Sequence, residues 1–315
     1  MPELPEVEVV RRGLAPAVIG ARIERVTVLD ARSLKRHDGP AEDFVERLTD
    51  ARVDSAARRG KFLWMPLALG TSAAAGPSGR GAHGDPVEAL VVHLGMSGQV
   101  LLRSREAEIA PLTRLLFDVH HPEHGPLRVD FVDQRIFGSM AIDPLQPTPD
   151  AAAGGHGSPL PLVPGQVAHI ARDPLDPAFD EKRFLAALRS RRTGIKRALL
   201  DQTLLSGIGN IYADESLWAA RLHYDQPTNS LSTRKARELL REVRAVLRRA
   251  LDEGGTSFDA QYVNVNGASG YFSHSLRAYG QHGMPCERCG RLIVREQFMN
   301  RGSHLCPGCQ RRRAA

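Results

Sequence analysis

Four cysteines near the end of the sequence have the residue type and the spacing of a metal site. Cys286 and Cys289 form one Cys-x2-Cys pair, and Cys306 and Cys309 form a second pair after sixteen intervening residues. Four thiolates in two such pairs can converge tetrahedrally on one Zn²⁺ ion and leave no open position for a reaction. Two disulfides are the alternative, which the absence of a secretion signal disfavours. The spacing therefore predicts one structural zinc ion, which folds a hairpin too small for a core of its own.

The first residues offer a different chemistry, that of an amine nucleophile. Removal of Met1 would leave Pro2 as a free secondary amine, and Glu3 and Glu6 follow closely in the chain. A chain amine has a pKa of ~7.7–8.0, against ~10.4 for lysine, so about a tenth of it is neutral at pH 7. A neutral amine can form an iminium with a carbon electrophile, and a neighbouring carboxylate can move protons. Taken alone, however, a Pro-rich start is more typical of an unstructured leader.

Positive charge is concentrated in the same region as the cysteines. The formal net charge is +6, and residues 281–315 contain seven Arg and two Glu, which is nearly the whole excess. A basic hairpin that is held by zinc indicates contact with phosphate groups. Arg301 lies between the two cysteine pairs and is the stronger candidate, whereas Arg311–Arg313 also fit a solvated tail.

Three further segments combine groups that suit nucleic acid. Lys61 stands at the start of a strand, where it would either prevent edge aggregation or act as a phosphate ligand or proton donor. The segment His93–Gly98 ends a buried strand in a Gly-rich loop, and an exposed Met96 could wedge between stacked bases. Arg135 and Phe137 are two residues apart, so in an extended segment they would share a face and could stack with bases. The alternatives are ordinary packing for the methionine and a surface ion pair for the arginine.

A short connection between two predicted helices, residues 206–210, offers a possible anion site. It would place the backbone amides of Gly209 and Asn210 at a helix N-terminus, which is a ready position for a phosphate. The alternative is a corner between two helices that binds no ligand.

A scaffold of two parts is needed to position these groups. Short β-like segments between residues 22 and 131 predict a strand-rich sandwich or barrel. After Asp180 the apolar spacing becomes helical, and an amphipathic helix over 231–251 ends at Gly254 and Gly255, as expected of a C-cap. A Pro- and Gly-rich stretch, residues 144–177, separates the two halves.

Composition excludes several classes of protein. The chain has 315 residues, of which 42% are hydrophobic and 25% are charged, as in an ordinary globular protein of two domains. No stretch approaches the ~18–20 apolar residues that a membrane span needs. The start has neither the basic nor the apolar segment of a secretory signal, so we expect a cytoplasmic protein.

Taken together, these positions resemble one family, the formamidopyrimidine-DNA glycosylases of bacterial base-excision repair. The resemblance extends over nearly the whole chain, and its specificity comes from the order of many motifs rather than from any one. The matching segments are Pro2–Glu8, Arg58–Lys61, His93–Gly98, Asp133–Gly138, Leu200–Gln202, Gly207–Glu215, Gly254–Ser257, Tyr262–Asn264, Gly270–Phe272, Tyr279–Gly280 and the four cysteines.

This resemblance implies an α+β fold of two domains. Residues 1–143 would form an N-terminal catalytic β-sandwich flanked by helices, and residues 144–178 an interdomain linker. Residues 179–272 would form a helix-two-turn-helix DNA-binding domain with a lesion-capping loop over 256–272. Residues 273–311 would form the zinc finger.

It also implies a bifunctional DNA glycosylase and abasic-site lyase that acts on oxidised purines. The partner would be double-stranded DNA with damaged bases or abasic sites, and the damaged base is flipped out because its sugar carbon is unreachable in the stack. Pro2 would attack C1′ and form a Schiff base, with Glu3 as acid/base partner. Lys61 would donate a proton in β-elimination, and Arg301 would contact phosphate and assist δ-elimination.

Other residues acquire DNA-binding roles from the same resemblance. Three of them would fill the gap that the flipped base leaves, namely Met96, Arg135 and Phe137, and Arg135 would face the orphaned cytosine. Phosphate or other basic contacts would come from His93, Arg191, Lys196 and Asn210. The base pocket would include Glu6, Thr256 and Ser257. We expect a monomer that associates with the bacterial nucleoid through DNA.

Three features depart from the family pattern. Leu112-Thr113-Arg114 stands where many members carry a DNA-contacting His, so we expect that contact to be either lost or replaced by Arg114. Ile136 occupies a position where a second basic residue is common. The insertion Gly70–Pro86 is longer than usual.

Two alternative functions stay open on the sequence. An endonuclease VIII-type glycosylase for oxidised pyrimidines usually begins Pro-Glu-Gly, whereas Leu4 follows Pro2 and Glu3 in this chain. A non-catalytic lesion-binding protein would keep the helical and zinc modules but would lose Pro2, Glu3 or Lys61. All three residues are present.

Overall fold

A computed structural model describes residues 2–68, 87–256, 265 and 271–312 of the chain. The expected insertion, Ser257 and most of the expected capping loop therefore lie outside the described residues. The described chain forms two compact units. The first contains Pro2, residues 6–68 and 87–169, and Val265, and the second contains residues 3–5, 170–256 and 271–312.

A ten-stranded antiparallel sheet organises the described part of the first unit. Its strands are β1 (Arg22–Val28), β2 (Arg52–Val53), β3 (Ala57–Arg59), β4 (Phe62–Ala68), β5 (Glu88–His93), β6 (Gly98–Arg103), β7 (Thr113–His121), β8 (Gly125–Asp133), β9 (Ser139–Pro147) and β10 (Leu162–Pro164). The spatial order is β10-β9-β5-β4-β2-β1-β7-β8-β6, with β3 paired to β4. These strands confirm the strand-rich half that the sequence predicts.

The two wings of this sheet pack face to face, so the unit is a sandwich. Met65 on β4 and Met140 on β9 belong to one wing, and Val100 on β6 and Phe117 on β7 belong to the other. All four line the same small apolar space, which is possible only if the wings face each other.

Two helices cover the core of the first unit. Helix α1 (Leu4–Val18) belongs to this unit from Glu6 onward and buries Val7, Val10 and Leu14 at helical spacing. Helix α2 (Ala41–Leu48) buries Phe44 and Leu48.

A buried ion cluster joins α1 to the β3–β4 hairpin. Glu8 accepts hydrogen bonds from Arg11 Nη2 (2.8 Å) and Arg58 Nε (2.9 Å). Burial alone would raise the pKa of Glu8, but these hydrogen bonds and charges lower it to about 2. The cluster fixes the turn between β3 and β4, where Lys61 lies.

The expected linker over residues 144–178 differs from what the structure contains. Strand β9 continues to Pro147, β10 pairs with it, and Val163 and Val167 are fully buried. The division between the units falls after His169. Pro and Gly suggested a free connection, but backbone pairing and two buried valines incorporate most of this stretch into the sandwich.

Four helices and a hairpin make up the described part of the second unit. The helices are α3 (Glu181–Ser190), α4 (Ile195–Leu200), α5 (Asn210–Ala219) and α6 (Thr233–Asp252). The hairpin pairs β11 (Val294–Phe298) with β12 (Arg301–Leu305). After α6 the backbone turns at Gly254 and Gly255, which have φ values of 77° and 82° and directly follow the C-cap residue Glu253, so the helix ends at the predicted glycines.

Helix α5 lies at the centre of this unit. Eight of its residues, Ile211–Trp218, are buried. The unit forms one compact body, so the expected division between a helical domain and a zinc finger at residue 272 stays a prediction. Among the described residues, no helix has the length and apolar character that crossing a membrane requires.

Candidate nucleic-acid interface

The four cysteines of the second unit converge as predicted. Their sulfur atoms all lie within 4.8 Å of one another, with 4.0 Å between Cys286 and Cys309 and 3.4 Å between Cys289 and Cys306. Zn–S bonds of about 2.3 Å in a tetrahedron would place the sulfurs about 3.8 Å apart. The donor set and its spacing fit one structural zinc ion, so the predicted zinc centre is confirmed.

One arginine joins the zinc centre to the end of α5. Arg288 lies between the first two cysteines and donates to the carbonyl oxygens of Trp218 (2.6 Å) and Ala219 (3.2 Å). Its guanidinium stacks 3.7 Å from the centroid of the Trp218 ring. A cation at a helix C-terminus is favoured by the free carbonyls and the helix dipole.

Removing the zinc should weaken DNA binding and make it less sensitive to salt. Without the metal the finger loses its folding energy. Each lost phosphate contact then lowers the slope of log affinity against log salt concentration by about one. We expect a chelator to reduce affinity about tenfold or more at low salt. Added Zn²⁺ should restore it, and unchanged binding after verified metal removal would rule out this role.

Lys196 lies buried beneath the β11–β12 hairpin. Its ammonium is 2.6 Å from Asp214 Oδ1, 3.3 Å from the Gly302 carbonyl oxygen and 5.0 Å from the centroid of the Phe298 ring. Burial lowers the pKa of Lys196 despite the attraction of Asp214. The side chain is fully buried, so the expectation that Lys196 contacts DNA directly is wrong.

Asn210 lies close to Arg301, because it is hydrogen-bonded to the carbonyl oxygen of the next residue, Gly302. Asn210 is the first residue of α5, and its Nδ2 donates to that oxygen (3.2 Å). Asp214 also holds β12, because it accepts from Ser303 Oγ (3.1 Å) and from His304 N (2.9 Å). The exposed Arg301 directly precedes this anchored segment, so its backbone is fixed.

Glu3 occupies the N-terminus of α5. Its carboxylate accepts from the amides of Gly209 (2.6 Å), Ile211 (3.1 Å) and Tyr212 (3.4 Å). A Cβ at residue 209 would lie 2.3 Å from this carboxyl group, so only glycine fits there. The predicted phosphate site at the amide of Gly209 is therefore corrected, because the carboxylate of Glu3 takes that position.

In the first unit, Lys61 follows a turn that buried arginines hold. Gly60 has a φ of 57°, and Arg58 Nη1 donates to its carbonyl oxygen (3.2 Å). Arg59 Nε donates to the Gly154 carbonyl oxygen (2.8 Å). Both arginines are buried, so they are structural residues and not a charged strand edge. Pro2 and Glu6 of the same unit are buried as well.

His93 is a neutral hydrogen-bond donor in a positive environment. Burial lowers its pKa to about 4, and the charges of Arg36, Lys61 and Lys35 act in the same direction. Its Nδ1 accepts from the amide of Gly95 (3.2 Å), so in the neutral ring the proton is on Nε2. A neutral N–H donor among cations suits an anionic oxygen.

Two of the three residues predicted to fill a gap in the DNA are apolar and exposed. Met96 is 43% exposed and Phe137 is 51% exposed. The third residue, Arg135, is exposed as well. All three belong to the first unit.

Arg114 and Arg191 have partners within the protein. Arg114 donates to the Asp133 carbonyl oxygen (2.8 Å) and to Asp30 Oδ2 (3.2 Å), which disfavours the expected DNA contact. Arg191 is half-buried and paired with Asp201. Thr256 is buried in the second unit.

Sequence reasoning missed the acidic pair on α5. Asp214 anchors Lys196 and β12, and Glu215 accepts from the amides of Arg277, Ala278 and Tyr279 (2.8–3.1 Å). Burial raises the pKa of Glu215 against these hydrogen bonds. Two adjacent carboxylates, Asp214 and Glu215, in a helix that is otherwise uncharged were the available signal.

The fold and these groups define a class, a DNA-processing protein with a strand sandwich, a helical unit and a zinc hairpin. Residues 1–140 match the Formamidopyrimidine-DNA glycosylase N-terminal domain, and residues 170–261 match the Formamidopyrimidine-DNA glycosylase H2TH domain. Residues 283–312 match the zinc finger found in FPG and IleRS. The chain belongs to the formamidopyrimidine-DNA glycosylase family.

The similarity to known relatives extends over nearly the whole chain. The Formamidopyrimidine-DNA glycosylase of Leifsonia xyli subsp. xyli is 62% identical over 99% of this chain and 100% of its own length. The Formamidopyrimidine-DNA glycosylase of Kineococcus radiotolerans is 53% identical over 98% of this chain and 97% of its own length. Among solved structures, Lactococcus lactis Fpg with an abasic site containing DNA has a TM-score of 0.78 at 29% identity, over 98% of this chain and 100% of the other.

Proposed function

We propose that this protein excises oxidised purines, 8-oxoguanine and formamidopyrimidines, from duplex DNA and then cleaves the strand, as part of base-excision repair. Family membership over the full length supports a DNA glycosylase with lyase activity. Structures of the Lactococcus lactis relative with an abasic site containing DNA, and of a mutant with a Fapy-dG containing DNA, support damaged duplex DNA as the partner. The observation that carries the proposal concerns Glu3, which directly follows Pro2 in the chain. Its carboxylate is held in place by three backbone amides at the start of α5.

In the proposed reaction, the Pro2 nitrogen bonds to C1′ of the damaged nucleotide while the bond from C1′ to the base breaks. The base leaves with a proton, and opening of the sugar ring gives an iminium. Loss of a C2′ proton then breaks the bond to the 3′ phosphate, and a second elimination releases the 5′ phosphate. We assign proton transfer to Glu3 and Lys61, and assistance of the second elimination to Arg301.

We assign DNA binding to the exposed and basic groups of each unit. Met96, Arg135 and Phe137 occupy the space that the flipped base leaves, because an unstacked base pair needs replacement contacts. His93 donates from Nε2 to a phosphate, and Asn210 and Arg191 contact the backbone from the second unit. We also assign Glu6, Thr256 and Ser257 to the base pocket, and Ser257 lies outside the described residues.

The same proposal covers the setting of the reaction. The protein acts as a monomer in the bacterial cytoplasm and reaches the nucleoid through its affinity for DNA. Its basic excess, concentrated in residues 281–315, favours association with a polyanion.

One experiment tests the substrate class. Purified protein is mixed with end-labelled duplexes that carry 8-oxoguanine opposite cytosine, an oxidised pyrimidine, or no damage, and strand cleavage is followed. We expect cleavage with phosphate on both ends of the gap, and a rate about tenfold or more higher for 8-oxoguanine than for the pyrimidine.

The other outcomes correspond to the alternatives. Faster cleavage of the pyrimidine duplex would indicate the endonuclease VIII-type activity. That activity has some support, because Lactococcus lactis FPG has also been solved with an oxidized pyrimidine containing DNA. Tight binding without cleavage, by protein with a free Pro2 and bound zinc, would indicate a lesion-binding protein.

A further inference from the structure

The loop that carries Arg135 and Phe137 contains a strained residue. Ile136 has a φ of 55°, in the left-handed region. A β-branched side chain rarely adopts this conformation, which glycine and asparagine accept far more easily. The surrounding contacts must therefore hold the loop in place.

Asp133, which is fully buried, provides the first of these contacts. Its carboxylate accepts from the amide of Gly138 (2.7 Å), from the amide of Arg135 (3.1 Å) and from Ser97 Oγ (2.6 Å). Ser97 directly follows Met96, so one carboxylate ties together the loops that carry all three gap-filling residues.

Close backbone packing provides the second contact. A Cβ on Gly95 would lie 2.4 Å from the amide nitrogen of Gly138 and 2.4 Å from the carbonyl carbon of Phe137. The loop around Met96 and the loop around Phe137 are thus in direct contact. We call residues 95–97 and 133–138 the platform.

Lys35 provides the third contact, and it comes from outside the platform. Its Nζ donates to the carbonyl oxygen of the strained Ile136 (2.7 Å) from a position 101 residues earlier. It directly follows the short helical turn Ala31–Leu34 and is otherwise exposed. The chain has five Lys against 37 Arg, and Lys35 belongs to none of the family motifs.

We propose that Lys35 is a positioning residue that sets discrimination of the base opposite the lesion. By holding the Ile136 carbonyl, Lys35 keeps the platform in one arrangement and so presents Arg135 to the orphaned base in one direction. A hydrogen-bonding side chain discriminates between bases only when its direction is fixed. This inference rests on the proposed role of Arg135 in the proposed function.

The test measures binding, so that it does not depend on catalysis. Wild-type protein, Lys35→Met, Lys35→Arg and Arg36→Met are titrated with duplexes that carry an uncleavable abasic analogue opposite cytosine or adenine. Arg36→Met is the matched control, because it removes the neighbouring exposed cation, which stacks 5.4 Å from the Phe62 ring. Both Met variants lose one positive charge.

We expect the ratio of Kd values, adenine over cytosine, to fall about fivefold or more in Lys35→Met. Arg36→Met should weaken both duplexes equally and leave the ratio unchanged. Lys35→Arg should restore most of the ratio, because it returns a donor to the carbonyl. Hydrogen exchange should show faster exchange at residues 135–138 in Lys35→Met only.

Several results would overturn this inference. They are an unchanged ratio in Lys35→Met, an equal loss in Arg36→Met, or a wild-type protein without preference for cytosine. Failure of the proposed function is a separate result, since it would show as wild-type protein that binds these duplexes with the expected ratio but cleaves no 8-oxoguanine strand.

Discussion

Protein that retains Met1 should form almost no covalent adduct with 8-oxoguanine DNA under borohydride. In that protein the Pro2 nitrogen is part of an amide, and its electron pair is delocalised into the carbonyl group. The amine of Met1 is displaced by about 3.8 Å, one residue along the chain. A displacement of even 1 Å can cost about 10²-fold in rate, so we expect trapping to fall by at least about 10²-fold.

The control for this experiment is the same preparation after treatment with methionine aminopeptidase. Intact mass reports the loss of one methionine, and trapping should return in proportion to it. DNA affinity should change by less than about threefold, because the phosphate-contacting groups are unaltered. Equal trapping before and after removal of Met1 would show that Pro2 is not the nucleophile.

Lys196→Met should be among the most destabilising substitutions in the second unit. It would leave the carboxylate of Asp214 buried without its cation, and breaking a buried pair in this way costs about 3–5 kcal/mol in the free energy of unfolding. The Gly302 carbonyl would also lose a donor. Chemical denaturation monitored by the fluorescence of Trp218, in protein whose other tryptophan, Trp64, is replaced by Phe, measures this loss.

A double variant separates charge from packing. Lys196→Met together with Asp214→Asn removes both charges and keeps an acceptor for Ser303 or His304. We expect it to recover more than half of the lost stability, because a neutral buried pair avoids the cost of the unpaired charge. If the double variant is as unstable as Lys196→Met alone, the buried charge is not the cause.

The sequence was sufficient wherever the signal was local. Two Cys-x2-Cys pairs determine a tetrahedral site because each knuckle is a short turn, whatever surrounds it. Alternating and helical apolar patterns located the strands and α6 because burial of one face dominates those segments. The exposure of Met96 stayed open on the sequence, because ordinary packing was the alternative there.

The errors arose where a residue's environment is made by distant parts of the chain. Lys196 looks like a surface cation, and only the packing of α4 and β12 against α5 buries it against Asp214. In the sequence the amide of Gly209 looks available for a phosphate. In the structure it donates to the carboxylate of Glu3, which is 206 residues away. The stretch after Pro144 looks like a connection, because pairing of β10 with β9 has no strong local signal.

Helix α5 has both of its ends completed by side chains that are remote in sequence. A carboxylate covers its amino end and the Arg288 guanidinium covers its carboxyl end, matching the sign of the helix dipole at each. Ten residues at 1.5 Å each separate the two by about 15 Å. The length of α5 therefore sets the distance between Glu3 and Arg288. Inserting one residue would turn one end by about 100° relative to the other, so that Glu3 and the zinc knuckle could no longer both reach their ends.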